Sequence, residues 1–260
     1  MKEGDVGLDH GQYALDGIRN YESVYGRDFV SPGGEAMARE CVAMLELSAR
    51  ERVLDVGCGL GGSAFLMARE LGVRVHGVDL SQNMITLARA RCRAHGLDGL
   101  VTLERADCLE LEGEALYDAV YSRDVFLHIA GKHALFTVLA RLLAPGGRLL
   151  FTDYCRNEGV ASREFVDYIE AHGYSLATID EYRAHLERAG FESVEAMDWT
   201  DRFIEITRDE LARLRATALD ADARAELTEG WESKLDRARR GEQRWGCFRA
   251  HAPPCNSGGR

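Results

Sequence analysis

A glycine-rich loop directly after a short apolar run is the strongest constraint in this sequence of 260 residues. The run Arg52–Val56 has the aliphatic composition of a buried strand. Gly57, Gly59 and Gly61 follow it, and they permit a tight turn and a close approach of the backbone to a ligand. Asp79 ends the next apolar run, where a carboxylate can bind two ribose hydroxyls. The pattern predicts a nucleoside-binding strand, loop and helix.

The acidic residue before the first glycine bears on which nucleoside binds. Nicotinamide and flavin sites share this glycine pattern, so the loop alone leaves a nicotinamide-dependent oxidoreductase open. Asp55 would place a negative charge beside the phosphates of a dinucleotide, which is unfavourable. A carboxylate there suits a ligand with a cationic amino-acid end, such as S-adenosylmethionine. At this point the sequence resembles class I methyltransferases, in which the loop and the Asp79-type residue bind that cofactor.

Composition narrows the class of protein. Hydrophobic residues make up 46% of the chain, which is ample for one core of generous size. The net charge of −11 argues against nucleic-acid binding, which normally needs a basic face. No apolar run approaches the roughly 20 residues of a membrane span, and the N-terminus has no apolar signal segment. Seven scattered cysteines without a CxxC pair, and no His/Asp/Glu cluster with ligand spacing, predict a cytoplasmic protein with reduced thiols and no metal site.

Strand and helix signals alternate along the chain, which predicts an α/β fold with a doubly wound, mostly parallel seven-stranded sheet of the Rossmann-like methyltransferase type. Ligands of such sheets bind beyond the carboxyl ends of the strands. The glycine loop, Asp79, Asp107 and residues 122–124 fall at such ends and should share one face. The core strands are predicted at residues 52–56, 74–79, 100–104, 117–121 and 148–153, and the helices between them at 64–71, 82–95 and 132–143.

The remaining segments are predicted to complete the core and to cover the site. Amphipathic helices after the fifth strand form an insert, and a long charged helical region precedes the final strand. The acidic surface and the lid fit a monomer. The predicted parts are an N-terminal lid segment at 1–34, the S-adenosylmethionine-binding core at 35–153, a helical insert that forms the substrate site at 154–190, the remaining strands and helices at 191–250, and a flexible tail at 251–260.

Several further segments resemble the phosphoethanolamine N-methyltransferases, which make phosphocholine by three successive methylations. The resemblance runs from about residue 12 to residue 250, and its motifs are specific in combination. The matching segments are QY at 12–13, YESVYG at 21–26, VSPGG at 30–34, YSRDVFLH at 121–128, TDYC at 152–155, EFVDY at 164–168, GY at 173–174, GW at 230–231 and QRWG at 243–246.

The resemblance implies a role for each matching residue. Tyr13 and His128 match a catalytic Tyr–His pair, and Asp124 matches an active-site acid near the substrate amine. The implied phosphate-binding groups are Tyr154, Tyr168, Tyr174 and Lys234, and Gln12 and Tyr21 are further residues of the substrate site. The implied cofactor-binding residues are Ser31, Gly57, Asp79, Leu80, Asp107, Cys108 and Arg123, beside Asp55 and Gly59 of the glycine loop.

One position departs from the pattern of the family. His172 stands before Gly173 and Tyr174, where many members have an arginine. An arginine offers a fixed two-pronged donor and a permanent charge, and a histidine offers neither. A related anion, such as the phosphonate of 2-aminoethylphosphonate, or another small amine therefore stays open as the substrate.

The chemistry of methyl transfer gives these residue types a purpose. The reaction is an in-line displacement, so most of the catalysis is positioning of the amine against the methyl group. The attacking amine must be neutral, which gives His128 a role as proton acceptor, while Asp124 attracts the ammonium. Plainer interpretations exist: His128 as a structural histidine, the tyrosines as packing residues, Lys234 as a solvated charge. A sensor that binds S-adenosylmethionine without transferring methyl is a further alternative.

Overall fold

The computed structural model describes residue 9, residues 14–217 and residues 219–253. At its centre are seven strands, β1 (Arg52–Val56), β2 (Arg74–Asp79), β3 (Val101–Arg105), β4 (Tyr117–Arg123), β5 (Leu143–Arg156), β6 (Glu192–Asp198) and β7 (Gln243–His251). They form one sheet in the order β3-β2-β1-β4-β5-β7-β6. Strands β1 to β5 are parallel, and β7 lies antiparallel between β5 and β6. The predicted fold class is confirmed.

The helices connect the strands and flank the sheet. They are α1 (Leu15–Tyr25), α2 (Gly34–Met44), α3 (Gly62–Leu71), α4 (Gln82–Ala94), α5 (Lys132–Leu142), α6 (Arg163–His172), α7 (Ile179–Arg188), α8 (Thr200–Ala216) and α9 (Ala221–Arg239). Ser81 caps α4 as its sequence position indicates, because its Oγ accepts the Met84 N–H at 3.1 Å. The long helical region divides into α8 and α9, since the Asp220 side chain accepts the Asp222 N–H and caps a new helix.

Two large buried clusters, one on each face of the sheet, form most of the core, and Ile18, Leu60 and Met84 form a third, small cluster. Successive side chains of a strand point to opposite faces, so Val120 and Tyr121 belong to different clusters, as do Leu150 and Phe151. Phe151 is completely buried at the centre of β5. Its ring centroid lies between 4.5 and 5.6 Å from those of Phe126, Phe136, Tyr182 and Phe248.

The predicted lid and tail are described only in part. Residues 1–8 and 10–13 of the lid segment, and 254–260 of the tail, lie outside the described residues. His251 still belongs to β7, and the buried Ala252 donates its N–H to the Gly147 carbonyl at 2.8 Å, so the first residues of the predicted tail belong to the folded core. Within the described residues, no helix combines the length and the apolar composition that crossing a bilayer requires. The monomeric state stays a prediction.

We expect Phe151→Ala to lower the free energy of unfolding by about 3 to 5 kcal/mol, because it removes a buried ring and leaves a cavity between four aromatic neighbours. Chemical denaturation measures this change. Val160→Ala is the control: Val160 is 99% exposed, and its truncation should change stability by less than about 0.5 kcal/mol. A loss below about 1 kcal/mol for Phe151→Ala would contradict the packing described for this face of the sheet.

Candidate active site

A cavity of about 890 Å³ lies at the carboxyl ends of β1, β2 and β4. Helices α1, α6 and α9 supply its far wall. Gln12 and Tyr13 lie outside the described residues, so their predicted roles stay predictions. The predicted site residues that the cavity brings together are Tyr21, Ser31, Gly57, Gly59, Asp79, Leu80, Asp107, Cys108, Arg123, Asp124, His128, Tyr154, Tyr168, His172, Tyr174 and Lys234.

Asp55 is the predicted site residue that the structure describes and does not place in this wall. Val56 lines the cavity, whereas the neighbouring Asp55 side chain is buried and lies on the opposite face of β1. Burial and the nearby charge of Asp79 raise the pKa of Asp55 to about 7. Asp55 therefore lies outside the described cavity wall, and its predicted role at the cofactor stays a prediction.

The glycine loop and the end of β2 form one end of the cavity. The Asp79 carboxylate accepts the N–H of Gly59 at 2.9 Å and the N–H of Ser81 at 2.9 Å, which fixes it at the rim. Burial raises the pKa of Asp79, and these backbone hydrogen bonds oppose that rise. Gly57 has a φ of +68°, and a Cβ there would lie 2.2 Å from Val125. Only glycine permits this approach of the loop to its neighbours.

Arg123 fixes the segment 31–34 against the end of β4. Its buried guanidinium donates hydrogen bonds to the carbonyls of Gly34, at 3.2 Å, and Pro32. The Ser31 hydroxyl donates in turn to the Arg123 carbonyl at 3.4 Å. The Arg123 guanidinium is thus hydrogen-bonded to the backbone of residues 31–34. These hydrogen bonds make the segment a fixed part of the cavity wall.

His128 ends a short 3-10 turn, Phe126–His128, on the wall of the cavity. Its ring lies edge-on to Tyr174 with the centroids 5.2 Å apart. The buried Lys132 donates through Nζ to the carbonyls of Phe126, at 2.7 Å, and of Ser175, at 2.7 Å. These hydrogen bonds join the turn that carries His128 to the loop that carries Tyr174. The sequence analysis did not identify Lys132, because nothing in its local pattern shows that it is buried.

The His128 ring is held in its neutral form. Burial, and then the positive charges of Lys132 and His172, lower the pKa of His128 to about 4. A neutral ring can accept a hydrogen bond or a proton at neutral pH. Because this pKa lies below the ordinary range for histidine, the ring is a weaker base than the sequence analysis expected.

Asp124 occupies a turn with a φ of +56° at the end of β4. Its Oδ1 accepts the Trp245 indole N–H at 2.7 Å and the Thr152 hydroxyl at 3.3 Å. Its Oδ2 has no hydrogen-bond donor in the part of the chain that the structure describes. Burial raises the pKa of Asp124, and the positive charge of Arg123 opposes the rise. The cavity wall therefore holds a buried carboxylate with one oxygen that accepts no hydrogen bond from the described residues and lies 4.0 Å from a guanidinium nitrogen of Arg123.

Lys234 is packed among aromatic rings, and so is not the solvated charge that one interpretation allowed. Its Nζ donates to the Tyr25 hydroxyl at 3.2 Å and lies 4.1 Å from the centroid of Trp231 and 6.0 Å from that of Tyr154. Burial lowers the pKa of Lys234 to about 8, against the opposing charge of Glu210. Lys234 is thus a cation with few competing partners in the wall.

Glu210 and Arg237 were not identified from the sequence, and Trp231 appeared only in a matching segment without a role. Glu210 is fully buried, and its carboxylate accepts the Gly33 N–H at 2.7 Å and the Trp231 indole N–H at 3.0 Å. It therefore links the segment 31–34 to α9. Trp231, Lys234 and Arg237 all line the cavity. Their spacing of three residues, which places them along one face of a helix, is the signal that was available in the sequence.

Tyr168, His172 and Tyr174 form a cluster of rings at the end of α6. The centroid distances are 4.4 Å from Tyr168 to His172, 5.1 Å from His172 to Tyr174 and 5.7 Å from Tyr168 to Tyr174. The cluster gives the cavity two phenols beside Lys234. Across residues 14–217 and 219–253, no three His, Cys, Asp or Glu side chains are grouped so that they could bind a metal ion.

Comparison with known proteins shows to which family the chain belongs. The methyltransferase-domain family matches residues 53–147. Phosphoethanolamine N-methyltransferase of Plasmodium falciparum is 31% identical over 253 residues, which are 94% of each chain. The chain belongs to the phosphoethanolamine N-methyltransferase family. The resemblance seen in the sequence is confirmed.

Other members of the family are longer than this chain. Phosphoethanolamine N-methyltransferase of Triticum aestivum is 43% identical over 248 residues, which are 93% of this chain and 49% of the wheat protein. The chain thus spans about half the length of the plant relatives it matches. A solved structure of Haemonchus contortus phosphoethanolamine N-methyltransferase 2, in complex with phosphomonomethylethanolamine and S-adenosylhomocysteine, superposes with a TM-score of 0.91 at 34% identity over 95% of this chain and 59% of that one.

We expect the His128 ring to titrate with a midpoint near pH 4 in the folded protein, because burial and Lys132 disfavour its charged form. The folded pKa lies below the unfolded value of about 6.5, so the neutral ring contributes stability above pH 6.5 that is lost as the pH falls toward 4. NMR of the imidazole resonances measures the midpoint, and His128→Asn identifies the signal. A midpoint near the unfolded value would show that the ring is solvated.

Proposed function

We propose that this protein catalyses the transfer of a methyl group from S-adenosylmethionine to the amine of phosphoethanolamine, toward phosphocholine. One observation carries the proposal: a single cavity has the glycine loop and Asp79 at one end, and His128, three tyrosines and Lys234 at the other. Family membership and the ligands of the Haemonchus contortus structure support it.

The cofactor end suits a nucleoside with an amino-acid tail. Gly57 and Gly59 leave room for a ligand to approach the backbone, and Asp79 stands at the end of β2, where it can bind ribose hydroxyls. Leu80 and Cys108 provide apolar contact for the adenine beside Asp107. When bound, S-adenosylmethionine supplies an electrophilic methyl group on a sulfonium.

The substrate end suits a small zwitterion. Lys234 and the phenols of Tyr154, Tyr168 and Tyr174 provide one cation and several hydroxyl donors for a phosphate. Asp124 can attract the ammonium through the oxygen that accepts no hydrogen bond. We infer that the substrate lies with its amine toward Asp124 and His128 and its phosphate toward Lys234 on α9.

His128 and its surroundings hold the amine for reaction. The amine must lose a proton before its lone pair forms the new bond to carbon, and the neutral ring of His128 can take that proton. Because the isolated ring is a weak base, we infer that its main work is orientation of the amine, helped by the fixed turn that Lys132 secures. Tyr13 is proposed to complete the Tyr–His pair.

The proposal predicts that the purified protein converts phosphoethanolamine to a methylated phosphobase with one S-adenosylhomocysteine formed per methyl transferred. Mass spectrometry of the products measures the reaction and counts the methyl groups. A parallel assay on 2-aminoethylphosphonate separates the phosphonate alternative, and a strong preference for it would reject our choice of substrate. Binding of NAD(H) without S-adenosylmethionine would favour an oxidoreductase, and cofactor binding without turnover of either amine would favour a sensor.

We expect His128→Ala and Lys234→Ala to fail in different ways. His128→Ala should lower kcat by about 100-fold or more with little change in cofactor affinity, because it removes a group at the reacting nitrogen. Lys234→Ala should mainly raise KM for phosphoethanolamine, by about 10-fold or more, because it removes a phosphate-binding charge. Steady-state kinetics and cofactor titration measure both, with the exposed His133→Ala as the control. An unchanged KM in Lys234→Ala would disprove its phosphate role.

A further inference from the structure

Arg237 is held in a fixed orientation in the wall of the cavity, one helical turn after Lys234 in α9. Its side chain is buried, and its guanidinium carbon lies 3.6 Å from the centroid of the Tyr168 ring. Its Nε donates to the Gln243 side-chain oxygen at 3.1 Å. The contact with the Tyr168 ring and the hydrogen bond to the buried Gln243 together hold the guanidinium in place.

The charge of Arg237 has no acidic partner. No carboxylate lies within ion-pair distance of it among residues 14–217 and 219–253. Arg240, three residues later in the chain, pairs with Glu164 at 3.0 Å, Asp236 at 3.1 Å and Glu242 at 3.2 Å. A buried cation without a counterion is unfavourable, so a residue of this kind is best explained by an anion that arrives with the ligand.

His172 is poorly placed to supply such a charge. It is exposed, and its Nδ1 lies 2.8 Å from the Tyr168 carbonyl oxygen, which engages that nitrogen within its own helix. Its ring packs against Tyr168, whose phenol also faces Arg237. Tyr168 therefore contacts both the histidine and the guanidinium, and the permanent charge comes from α9.

We propose that Arg237 is a substrate-binding residue, which grips the phosphate of the substrate together with Lys234 and supplies the fixed charge that His172 lacks. The planar guanidinium can donate two parallel hydrogen bonds to one phosphate group, and Lys234 adds a point charge beside it. Two cations one helical turn apart favour a dianionic phosphate monoester over a singly charged or neutral amine. This inference rests on the proposed function, since it assigns the anionic end of that substrate.

Binding and turnover of Arg237 variants test the inference. The variants are Arg237→Met and Arg237→Lys, with Arg239→Met, an exposed arginine of the same helix, as the matched control. Calorimetry measures phosphoethanolamine binding to the protein loaded with S-adenosylhomocysteine, and steady-state kinetics gives kcat and KM. We expect Arg237→Met to weaken phosphoethanolamine binding and raise its KM by about 10- to 100-fold, with a smaller change in kcat and in cofactor affinity. Arg237→Lys should lose less affinity than Arg237→Met, because lysine keeps the positive charge but lacks the two parallel donors of the guanidinium.

Each outcome decides the question. Binding of S-adenosylhomocysteine should change far less in Arg237→Met than binding of phosphoethanolamine, so that the loss is confined to the anionic substrate. Wild-type binding of phosphoethanolamine without methylation would refute the proposed function and leave the role of Arg237 supported by the binding data. Equal binding in wild type and Arg237→Met, or a larger loss in His172→Ala than in Arg237→Met, would overturn the inference. Melting temperatures of all variants show whether a loss reflects unfolding.

Discussion

The parallel pairing of β1 with β4 at the centre of the sheet determines where the site lies. Val56 pairs with Ser122, and the Ser122 hydroxyl donates to the Val56 carbonyl at 2.8 Å, so the two strands end at the same level. The chain leaves β1 toward β2 on one side and leaves β4 toward β5 on the other. A crevice must open where the two connections diverge. The glycine loop forms one lip of it, and Arg123 with Asp124 forms the other.

The topology of the sheet does not determine the position of the helical wall of the cavity. Two buried charged residues connect this wall to the rest of the structure. Glu210 joins the segment 31–34 to Trp231 on α9, and Lys132 joins the turn of His128 to the loop of Tyr174. Glu210 accepts one backbone and one indole N–H, and Lys132 donates to backbone carbonyls. A buried polar network that is satisfied in this way tends to be rigid. The helical wall is therefore positioned relative to the sheet by hydrogen bonds as well as by apolar packing.

The sequence was sufficient for the features that depend on local pattern. The strand before the glycines, the position of Asp79 at a strand end and the Ser81 cap each need only a few neighbouring residues to specify them. The family resemblance extended this to the substrate end, and it named Tyr168, Tyr174 and Lys234, all of which line the cavity. Each of these features depends either on a few neighbouring residues or on a motif whose role is known from the family.

The features that the sequence did not yield depend on contacts between distant segments. Asp55 was assigned to the ligand from its place two residues before Gly57, and only the alternation along β1 shows that it lies outside the described cavity wall. Lys132 and Arg237 resemble surface cations until packing buries them. Arg237 becomes informative only when Gln243, on β7, and Tyr168, on α6, are seen to hold it. Such information is absent from any local window of the chain.

The charges of the cavity wall set a condition that its ligand must meet. Asp124 has an oxygen that accepts no hydrogen bond and has only a long contact of 4.0 Å with Arg123, and Lys234 and Arg237 lack ion-pair partners in the described chain. A ligand with only an ammonium group would leave the charges of Lys234 and Arg237 uncompensated. A ligand with only a phosphate group would leave the charge of Asp124 uncompensated. Leaving a buried charged group unpaired costs more than a paired one gains, so discrimination of this kind is steep. A short zwitterion satisfies both ends at once, which is why the same residues that make the empty cavity unfavourable make it selective.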